Sequence, residues 1–346
     1  MNILAIESSC DETACAIIAD EARILSNVVV SQIDIHSAYG GVIPEIAARS
    51  HIEAILPVVH QALADAKLAI TDIDAIAVTH TPGLVGSLLI GTLTARTLSV
   101  IHNIPLYPVH HLKSHIYANW LSGHNPDFPL LALVLSGGHT QIIRMTAHND
   151  FTILGSTRDD AIGEVFDKVA KILGLPYPGG PAIAHAAKSG NDQAYHLPIP
   201  QVSGLDFSFS GLKTAVLRAV QQALNLPIST PSHVLKDHLS AQQIADFAAS
   251  FQTTAAKIIA LKLHQALLDY PDTKSILLAG GVSANQIIRD TITQRFHHNH
   301  HIFFPEPAFC TDNAAMVGAA AYYAIQAGTQ ATDPYALDIS TRSPIS

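Results

Sequence analysis

Apolar runs and short polar links repeat in the same order in the two halves of the chain. Residues 2–7 and 14–19 are strand-like apolar runs joined by the small polar link SSCDET, residues 8–13. In the second half, residues 130–135 and 141–145 flank the link SGGHT, residues 136–140, in the same way. The pattern predicts that each half begins with a strand–loop–strand unit, which indicates an internal duplication.

Helical periodicity follows these units. Pro44 suits a first helical turn, and an apolar stripe follows it at Ile46, Ile55, Leu56, Val59 and Leu63. Residues 241–268 predict one or two long helices, and the strand-like residues 275–279 lead through Gly280 and Gly281 into a helix over about residues 284–296. Strands that alternate with helices predict an α/β architecture with central sheets. The proline-containing residues 193–206 favour an irregular excursion.

The composition is that of a globular protein. Of 346 residues, 48% are hydrophobic and 14% charged, which excludes wholesale disorder, and no apolar run approaches the roughly 20 residues of a membrane span. The first residues have no basic segment typical of a signal peptide. Three cysteines, Cys10, Cys15 and Cys310, are too few for a disulfide framework. We therefore expect a cytoplasmic protein without a membrane partner.

The formal net charge of −9 argues against nucleic-acid binding through the overall field of the protein. Any such partner must meet a local basic patch, for which the candidates are Lys168, Lys171, Lys188, Lys213 and Arg218.

His111 and His115 follow a predicted strand over residues 105–109 at a spacing that places both imidazoles on one helical face. Neutral imidazole suits zinc or iron, and such a pair needs a third ligand from elsewhere in the chain. The spacing fits equally well an ordinary helix histidine. A metallopeptidase is disfavoured because Leu112 occupies the position of the catalytic glutamate. The histidine-rich residues 297–301 favour a solvated loop before a strand over residues 302–304.

Glycine pairs follow several predicted strands and expose backbone N–H groups that can hold a phosphate or a carboxylate. One such turn is commonly only a tight turn. Turns at the ends of predicted strands recur at the polar residues 8–13 and at the glycine-containing residues 136–140 and 280–283. With a fourth, glycine-rich loop at residues 177–181, this repetition indicates a nucleotide site.

Carboxylates at three places in the chain have both a structural and a chemical interpretation. Asp160, Glu164 and Asp167 have helical spacing, for which a solvated face is the default and a contact to ribose or substrate hydroxyls is the alternative. Asp312 suits a helix N-cap or a metal ligand. Asp11 suits turn chemistry or, if it faces the site, a general base.

Taken in order, the motifs of this chain closely resemble those of the bacterial tRNA N6-adenosine threonylcarbamoyltransferase family. They are IESSCDET (6–13), GGVIPE (40–45), the histidines of residues 110–115, SGGHT (136–140), YPGGP (177–181), FSFSGLK (207–213), GGVSAN (280–285) and CTDN (310–313). The resemblance spans nearly the whole chain.

The resemblance implies a two-lobed actin/sugar-kinase/Hsp70-like fold with duplicated mixed β-sheets flanked by helices. It implies transfer of a threonylcarbamoyl group from threonylcarbamoyl-AMP to the N6 amine of the adenosine immediately 3′ of the anticodon, in tRNAs that read codons beginning with A, with release of AMP. One divalent metal, iron (Fe²⁺) or zinc, would be bound by His111, His115 and Asp312. Asp11 would be the catalytic base. The intermediate would be held by Val134, Leu135, Ser136, Gly137, Gly138, Asp167, Gly180 and Asn285.

The resemblance also implies an organisation and partners. We expect an N-terminal lobe over residues 1–110, completed by a helix over residues 311–328, and a C-terminal lobe over residues 111–310 that carries the two histidines. The expected partners are tRNA, threonylcarbamoyl-AMP, a shorter metal-less paralogue that forms a heterodimer, and a P-loop ATPase.

The chain departs from the bacterial family pattern at two places and is expected to follow it at Val134. Lys113 and Ser114 replace a glutamate and a glycine between the two histidines, which alters the charge around the site more than the ligands. His80 and Thr81 replace a small Ala-Gly pair, which predicts a different loop shape. Val134 stands where archaeal and eukaryotic relatives carry a tyrosine ligand.

Two other classes of function remain open on the sequence. An ATPase or small-molecule kinase of the same fold would use the same glycine turns, because a fold does not fix its chemistry. A noncatalytic regulatory paralogue is disfavoured by the intact set of two histidines and one aspartate.

Overall fold

The computed structural model describes residues 1–200, 202–343 and 345, and it confirms the α/β class. The strands in this part of the chain are β1 (Ile3–Glu7), β2 (Glu12–Ala19), β3 (Arg23–Ser31), β4 (Ala75–Thr81), β5 (Leu106–His110), β6 (Leu130–Leu135), β7 (Thr140–Met145), β8 (Phe151–Ser156), β9 (Ser275–Ala279) and β10 (His301–Phe303). The α-helices are α1 (Ile33–Ser37), α2 (Pro44–Ala66), α3 (Val85–His102), α4 (His111–Leu121), α5 (Ile162–Ile172), α6 (Gly179–Ala186), α7 (Ser210–Ala223), α8 (Ser232–Leu235), α9 (Ala241–Asp269), α10 (Gln286–Phe296), α11 (Pro307–Cys310) and α12 (Ala314–Gln326).

The strands form two five-stranded sheets with the same order of connection. The first sheet has the order β3-β2-β1-β4-β5 and the second the order β8-β7-β6-β9-β10. In the first sheet β1 pairs antiparallel with β2 and parallel with β4, with Ile6 opposite Cys15 in the hairpin. In the second sheet β9 pairs parallel with both β6 and β10. The internal duplication predicted from the repeated strand–loop–strand units is confirmed.

The chain divides into two compact units. Unit 1 comprises Met1–Pro126, Met145–Thr152 and Pro305–Ser346, and unit 2 comprises Asp127–Arg144 and Ile153–Phe304. The expected boundary at residues 110 and 111 differs from this division, which places His111 and His115 in unit 1. The physical reason is that α4 packs against α12 and follows directly from β5, so the helix is part of the first core.

Unit 1 has a core of aliphatic side chains from its sheet, α2 and α3. Of the predicted apolar stripe on α2, Ile55 and Val59 are buried in this core, whereas Leu56 is 64% exposed. One residue of helix rotates a side chain by about 100°, so Leu56 leaves the face on which Ile55 lies. Its assignment to the buried stripe was wrong.

Unit 2 has a second core, in which α5 and α9 pack on the sheet. The apolar positions of α5 are buried as predicted, and residues 241–269 form one long helix. Asp160 precedes α5, so it does not continue the helical acidic stripe that we predicted with Glu164 and Asp167. In the described part of residues 190–209 no helix or regular strand forms, in agreement with the expected irregular excursion.

Among the described residues one helix, α3, is long and apolar enough to cross a membrane. This is a weak indication, because the core helix of a globular protein passes the same test, and α3 packs on α2 and β4 within unit 1.

Candidate metal centre and substrate-binding loops

Two histidines lie on adjacent turns of α4, immediately after the buried strand β5. His110 is the N-cap of this helix, and its Nδ1 accepts a hydrogen bond from the backbone N–H of Leu112 at 3.2 Å. His111 and His115 then lie on one face, with ring centroids 4.6 Å apart. Both side chains are buried, with exposed fractions of 8% and 1%. The helix therefore presents a pair of imidazoles inside unit 1.

The third member of the group comes from the turn before α12. Oδ1 of Asp312 lies 3.1 Å from Nε2 of His115 and 3.6 Å from Nε2 of His111. We expected Asp312 as an N-cap or a ligand, and the capping role falls to Asn313, whose Oδ1 accepts a hydrogen bond from the N–H of Met316 at 3.0 Å. Among the described residues, these two histidines and Asp312 are the group whose ligand atoms all lie within 4.8 Å of one another.

These distances fit a single metal ion. Metal–nitrogen and metal–oxygen bonds of about 2.0–2.2 Å separate neighbouring ligand atoms by about 3.0–3.5 Å at coordination angles between 90° and 110°. The separations of 3.1 and 3.6 Å lie close to this range. Neither ring nitrogen of His115 has a hydrogen-bond partner among the described residues, since its contact with Asp312 lacks hydrogen-bond geometry. A buried imidazole without a partner is costly, and a bound ion would supply one.

Glu7 at the end of β1 supports His111 from the opposite side. Its carboxylate is fully buried and accepts hydrogen bonds from the N–H of Ser9 and from Oγ1 of Thr79, both at 2.6 Å. Oε2 of Glu7 also lies 3.2 Å from Nδ1 of His111. A carboxylate that holds one ring N–H of a histidine directs the other nitrogen towards a metal. Glu7 lies in the motif IESSCDET, and the sequence alone predicted no role for it.

The charges in this group perturb one another. Burial lowers the pKa of His111, but the Asp312 and Glu7 carboxylates outweigh it and raise that pKa to about 9. Burial opposes ionisation of Glu7, and the neighbouring His111 nevertheless holds the pKa of this carboxyl below its usual value. The two carboxylates therefore stabilise positive charge at the position of His111.

Lys113, which replaces the family's glutamate, does not add its charge to this group. Its Nζ lies over the ring of Phe151, 4.7 Å from the centroid, and burial lowers the pKa of the lysine. Ser114 contributes only a long hydrogen bond, 3.5 Å, to the carbonyl of His110. The two departures between the histidines therefore leave the ligand set intact.

Asp11 lies in the link between β1 and β2, and the side chains of His51 and Ser87 hold this link in place. The carbonyl of Cys10 receives Nε2 of His51 and Oγ of Ser87, each at 3.0 Å, while Nδ1 of His51 lies 2.8 Å from Oγ1 of Thr13. Burial and the carboxylates of Asp312 and Asp11 raise the pKa of the next residue, Glu12, well above its usual value. The link that carries Asp11 thus lies within electrostatic reach of Asp312.

In unit 2, the loop after β6 combines buried strand residues with an open glycine pair. Val134 and Leu135 are fully buried, and the N–H of Ser136 donates to the carbonyl of His139 at 2.9 Å. Gly137 and Gly138 are exposed, and a Cβ at either position would meet nothing within 4 Å. The structure therefore leaves the backbone of this pair accessible, as a ligand-binding turn requires.

The remaining predicted binding residues lie on neighbouring elements of unit 2. The N–H of Gly163 in α5 donates to the carbonyl of Ser136 at 3.2 Å, and Oδ1 of Asp167 accepts from the N–H of Gly179 at 2.7 Å. The next residue, Gly180, has open space around its Cα and belongs to the first turn of α6. These contacts bring the loop after β6 to the first turn of α5 and the start of α6 to the middle of the same helix.

Gly280 and Asn285 bring in the loop after β9. Gly280 has φ +86°, and a Cβ there would lie 2.6 Å from the carbonyl oxygen of Leu135, so only glycine allows the two strand ends to approach. Asn285 caps α10 by accepting from the N–H of Ile288 at 3.2 Å, and its Nδ2 donates to Gln252 at 3.4 Å. Its amide is thus already used within unit 2. Loops at the carboxyl ends of parallel strands are the usual ligand sites of α/β sheets.

Solved structures share this fold. HypF of T. kodakarensis matches with a TM-score of 0.63 and 16% identity over 94% of this chain and 48% of its own. Component A of (R)-2-hydroxyglutaryl-CoA dehydratase from Acidaminococcus fermentans matches with a TM-score of 0.50 and 14% identity over 94% and 99%. Such identities speak for the fold alone. With the duplicated sheets, they assign the chain to the class of actin-like α/β proteins.

The sequence comparison is more specific. The family TsaD, described as tRNA N6-adenosine threonylcarbamoyltransferase, matches residues 23–319. Relatives of that name include those of Moorella thermoacetica, 48% identical over 93% of this chain and 91% of the relative, and of Bacillus subtilis, 46% identical over 95% and 92%. The protein of Thermomicrobium roseum is 45% identical over 100% and 97%. The chain therefore belongs to the tRNA N6-adenosine threonylcarbamoyltransferase family, and it is a transferase.

Proposed function

We propose that this protein transfers the threonylcarbamoyl group of threonylcarbamoyl-AMP to the N6 amine of the adenosine immediately 3′ of the anticodon, in tRNAs that read codons beginning with A, and releases AMP. The observation that carries the proposal is the approach of His111, His115 and Asp312 to one point, in a chain that belongs to the family over nearly its whole length.

A divalent metal fits the donor set of unit 1. Two imidazoles and one carboxylate are the ligands that non-haem Fe²⁺ uses when it keeps open coordination positions, and zinc accepts the same atoms. We assign iron as the first candidate and zinc as the second. Val134 contributes no ligand atom, in contrast to the tyrosine of the archaeal and eukaryotic relatives, so water or substrate would occupy the open positions. When bound, the ion would supply Lewis-acid polarisation of the threonylcarbamoyl group.

Unit 2 supplies groups for the adenylate. The exposed backbone of Gly137 and Gly138 suits the phosphate, because N–H groups there have no side chain in front of them. Asp167 in α5 and Gly180 in the first turn of α6 suit the ribose hydroxyls. Asn285 takes part through the position of its loop, since its side chain caps α10. Val134, Leu135 and Ser136 hold the glycine pair from the strand side.

The reaction requires removal of one proton from a weak nucleophile. The lone pair of the adenine N6 amine is delocalised into the ring, so the amine must be held in line with the carbonyl carbon. A new N–C bond forms there, and the bond between that carbon and the phosphate oxygen breaks, so that AMP leaves with the electron pair. Asp11 is our candidate for accepting the N6 proton.

We propose tRNA, a shorter metal-less paralogue and a P-loop ATPase as partners, and the cytoplasm as the location. With a net charge of −9, the protein needs help from partners or a local basic patch to bind tRNA. Among the five basic residues suggested from the sequence, Lys168 is the poorest phosphate ligand. Its Nζ lies 2.8 Å from Asp160 and 2.9 Å from Glu164, which compete for its charge.

Reconstitution tests the proposed reaction. The protein, its partners and the intermediate-forming enzyme are incubated with threonine, bicarbonate, ATP and tRNA, and digested tRNA is analysed by mass spectrometry. We expect threonylcarbamoyladenosine in tRNAs that read codons beginning with A and in no others. The His111→Ala variant should lose metal and product, whereas the exposed His233→Ala variant should keep both. Absence of product beside a working set from a relative, with ATP hydrolysed instead, would favour the ATPase or kinase.

The base is tested separately. Asp11→Asn should lower the rate constant of transfer by about 10²–10⁴-fold, while metal content and tRNA binding stay unchanged. Asp34→Asn, a change of an exposed carboxylate in unit 1, is the matched control. Full activity of Asp11→Asn would remove Asp11 from the mechanism.

A further inference from the structure

After α12 the chain returns along the edge of the first sheet. The N–H of Thr332 donates to the carbonyl of Leu106 in the edge strand β5 at 2.8 Å, and Leu337 is buried in the core of unit 1. We call residues 332–343 the return segment. Its first half covers an edge strand, which is a common way to protect unpaired strand groups.

The second half of the return segment makes contacts that edge protection does not require. The N–H of Ser340 donates to the carbonyl of His80 at 3.1 Å, and Nδ1 of His80 lies 3.1 Å from the carbonyl of Asp338. His80 is one of the departures from the family pattern noted in the sequence, where a small residue is usual. In this chain the larger side chain gives the return segment an additional anchor at the end of β4.

The last contact of the segment reaches the helix that carries the candidate metal ligands. The carbonyl of Ser343 lies 3.0 Å from Nε2 of His110, while Nδ1 of the same ring accepts from the N–H of Leu112. A neutral imidazole carries one proton, so Nδ1 as acceptor requires Nε2–H as donor. The ring thus joins the return segment to the first turn of α4. His111 is the next residue.

We propose that residues 332–343 and His110 form a positioning device for the metal-binding histidines of α4. The proposal rests on the proposed function, because it assumes that His111 and His115 bind a metal. A ligand pair binds an ion tightly only when its orientation is fixed beforehand. The hydrogen bond from His110 to Ser343 fixes the start of α4 from outside, as Glu7 fixes the ring of His111 from inside.

Three variants separate this role from edge protection. Deletion of residues 338–346 removes the contacts to His80 and His110 but keeps Thr332 and Leu337. His110→Asn keeps an acceptor for the helix cap, because asparagine is a good N-cap, but loses the donor that reaches Ser343. Tyr335→Ser changes a 74% exposed side chain of the same segment and is the matched control.

The Kd for Fe²⁺ and for Zn²⁺ is measured by chelator competition on each purified full-length variant and on the double variant. We expect the deletion and His110→Asn each to raise Kd about 3- to 30-fold, the double variant to equal either single one, and Tyr335→Ser to match the wild type. Non-additivity is the signature of groups that act through one contact. Unchanged Kd values, or effects that multiply in the double variant, overturn the proposal.

Hydrogen exchange gives a reading that does not depend on metal. We expect the amide of Leu112 and the first turn of α4 to exchange faster in His110→Asn and in the deletion variant, while the thermal midpoint of His110→Asn stays near that of Tyr335→Ser. The deletion also removes Ile345, which is 5% exposed, so its midpoint should be lower. If the wild type binds neither ion, the proposed metal centre fails, and exchange at α4 still decides whether the return segment orders this helix. Unchanged exchange would overturn the positioning role.

Discussion

Replacement of Glu7 by glutamine tests how the candidate metal centre is organised. The change is nearly isosteric and keeps an oxygen for the N–H of Ser9, but it places an NH₂ group where Oε2 now receives Oγ1 of Thr79 and faces Nδ1 of His111. The threonine hydroxyl can rotate and accept. Oγ of Ser9 also lies 3.2 Å from Nδ1 of His111 and can donate to it. With a donor on both sides, the imidazole favours Nδ1 as an acceptor with its proton on Nε2, the nitrogen that faces Asp312.

The size of the effect follows from that tautomer. Loss of a carboxylate that orients a metal-bound histidine lowers metal affinity by about 10- to 100-fold, which equals about 1.4–2.7 kcal/mol. Thr79→Val removes one donor to the same carboxylate and leaves the contact to His111, so it should change affinity less than Glu7→Gln. Glu7→Asp keeps the charge and separates its effect from that of the hydrogen-bond pattern.

The measurement is chelator competition with Zn²⁺ and Fe²⁺ at constant pH, with thermal unfolding of each metal-free variant as the control for folding. The expected order of affinity is wild type, Thr79→Val, then Glu7→Gln. A Glu7→Gln variant that folds normally and binds either metal within twofold of the wild type would refute the reasoning, because the histidine would then not depend on its carboxylate.

Three further outcomes are expected. Gly163→Ala should destabilise unit 2 by about 1–3 kcal/mol and weaken threonylcarbamoyl-AMP binding, because its Cβ would lie 2.7 Å from the carbonyl oxygen of Ser136. Gly211→Ala, where a Cβ meets open space, is the control, and calorimetry measures the unfolding and the binding of both variants. Chelation should lower the unfolding midpoint of the metal-loaded protein, since free metal at 100 times Kd stabilises by about 2.7 kcal/mol, and a His111→Ala variant should not respond. For Asp159, burial opposes ionisation, but hydrogen bonds from residues 208–210 hold its pKa below the usual value. The stabilisation from this carboxylate is therefore present above the unfolded pKa of about 4 and is lost as pH falls. Asp159→Asn should reduce the loss of unfolding free energy at acid pH, and an equal loss in the wild type and the variant would contradict this.

The local parts of the fold could be predicted from the sequence. The strand over residues 130–135 and the strand Ser275–Ala279 agree with the expected bounds, because each is an apolar run closed by polar or glycine residues. The buried face of α5 followed from helical spacing in the same way. These features depend on neighbours within a few residues, which the sequence displays directly.

The candidate site could be predicted only in part. Spacing within one helix brought His111 and His115 together. Residue type left Asp312 as either a helix N-cap or a metal ligand, and only the family resemblance joined it to the two histidines. Glu7 was missed because its partner, His111, lies 104 residues away, and nothing in the spacing links them. Thr311, Asp312 and Asn313 are all competent caps by type, and only tertiary structure decides that Asn313 caps α12.

Unit 1 is built from segments at both ends of the sequence, and this affects when its metal centre can form. A ribosome that has synthesised residues 1–126 has delivered both histidines and Glu7, yet Asp312 arrives only with the segment Pro305–Ser346. During translation the two histidines are therefore present without Asp312 while all of unit 2 is synthesised. The complete set of three ligands at the proposed centre therefore exists only after Asp312 has been synthesised, near the end of the chain.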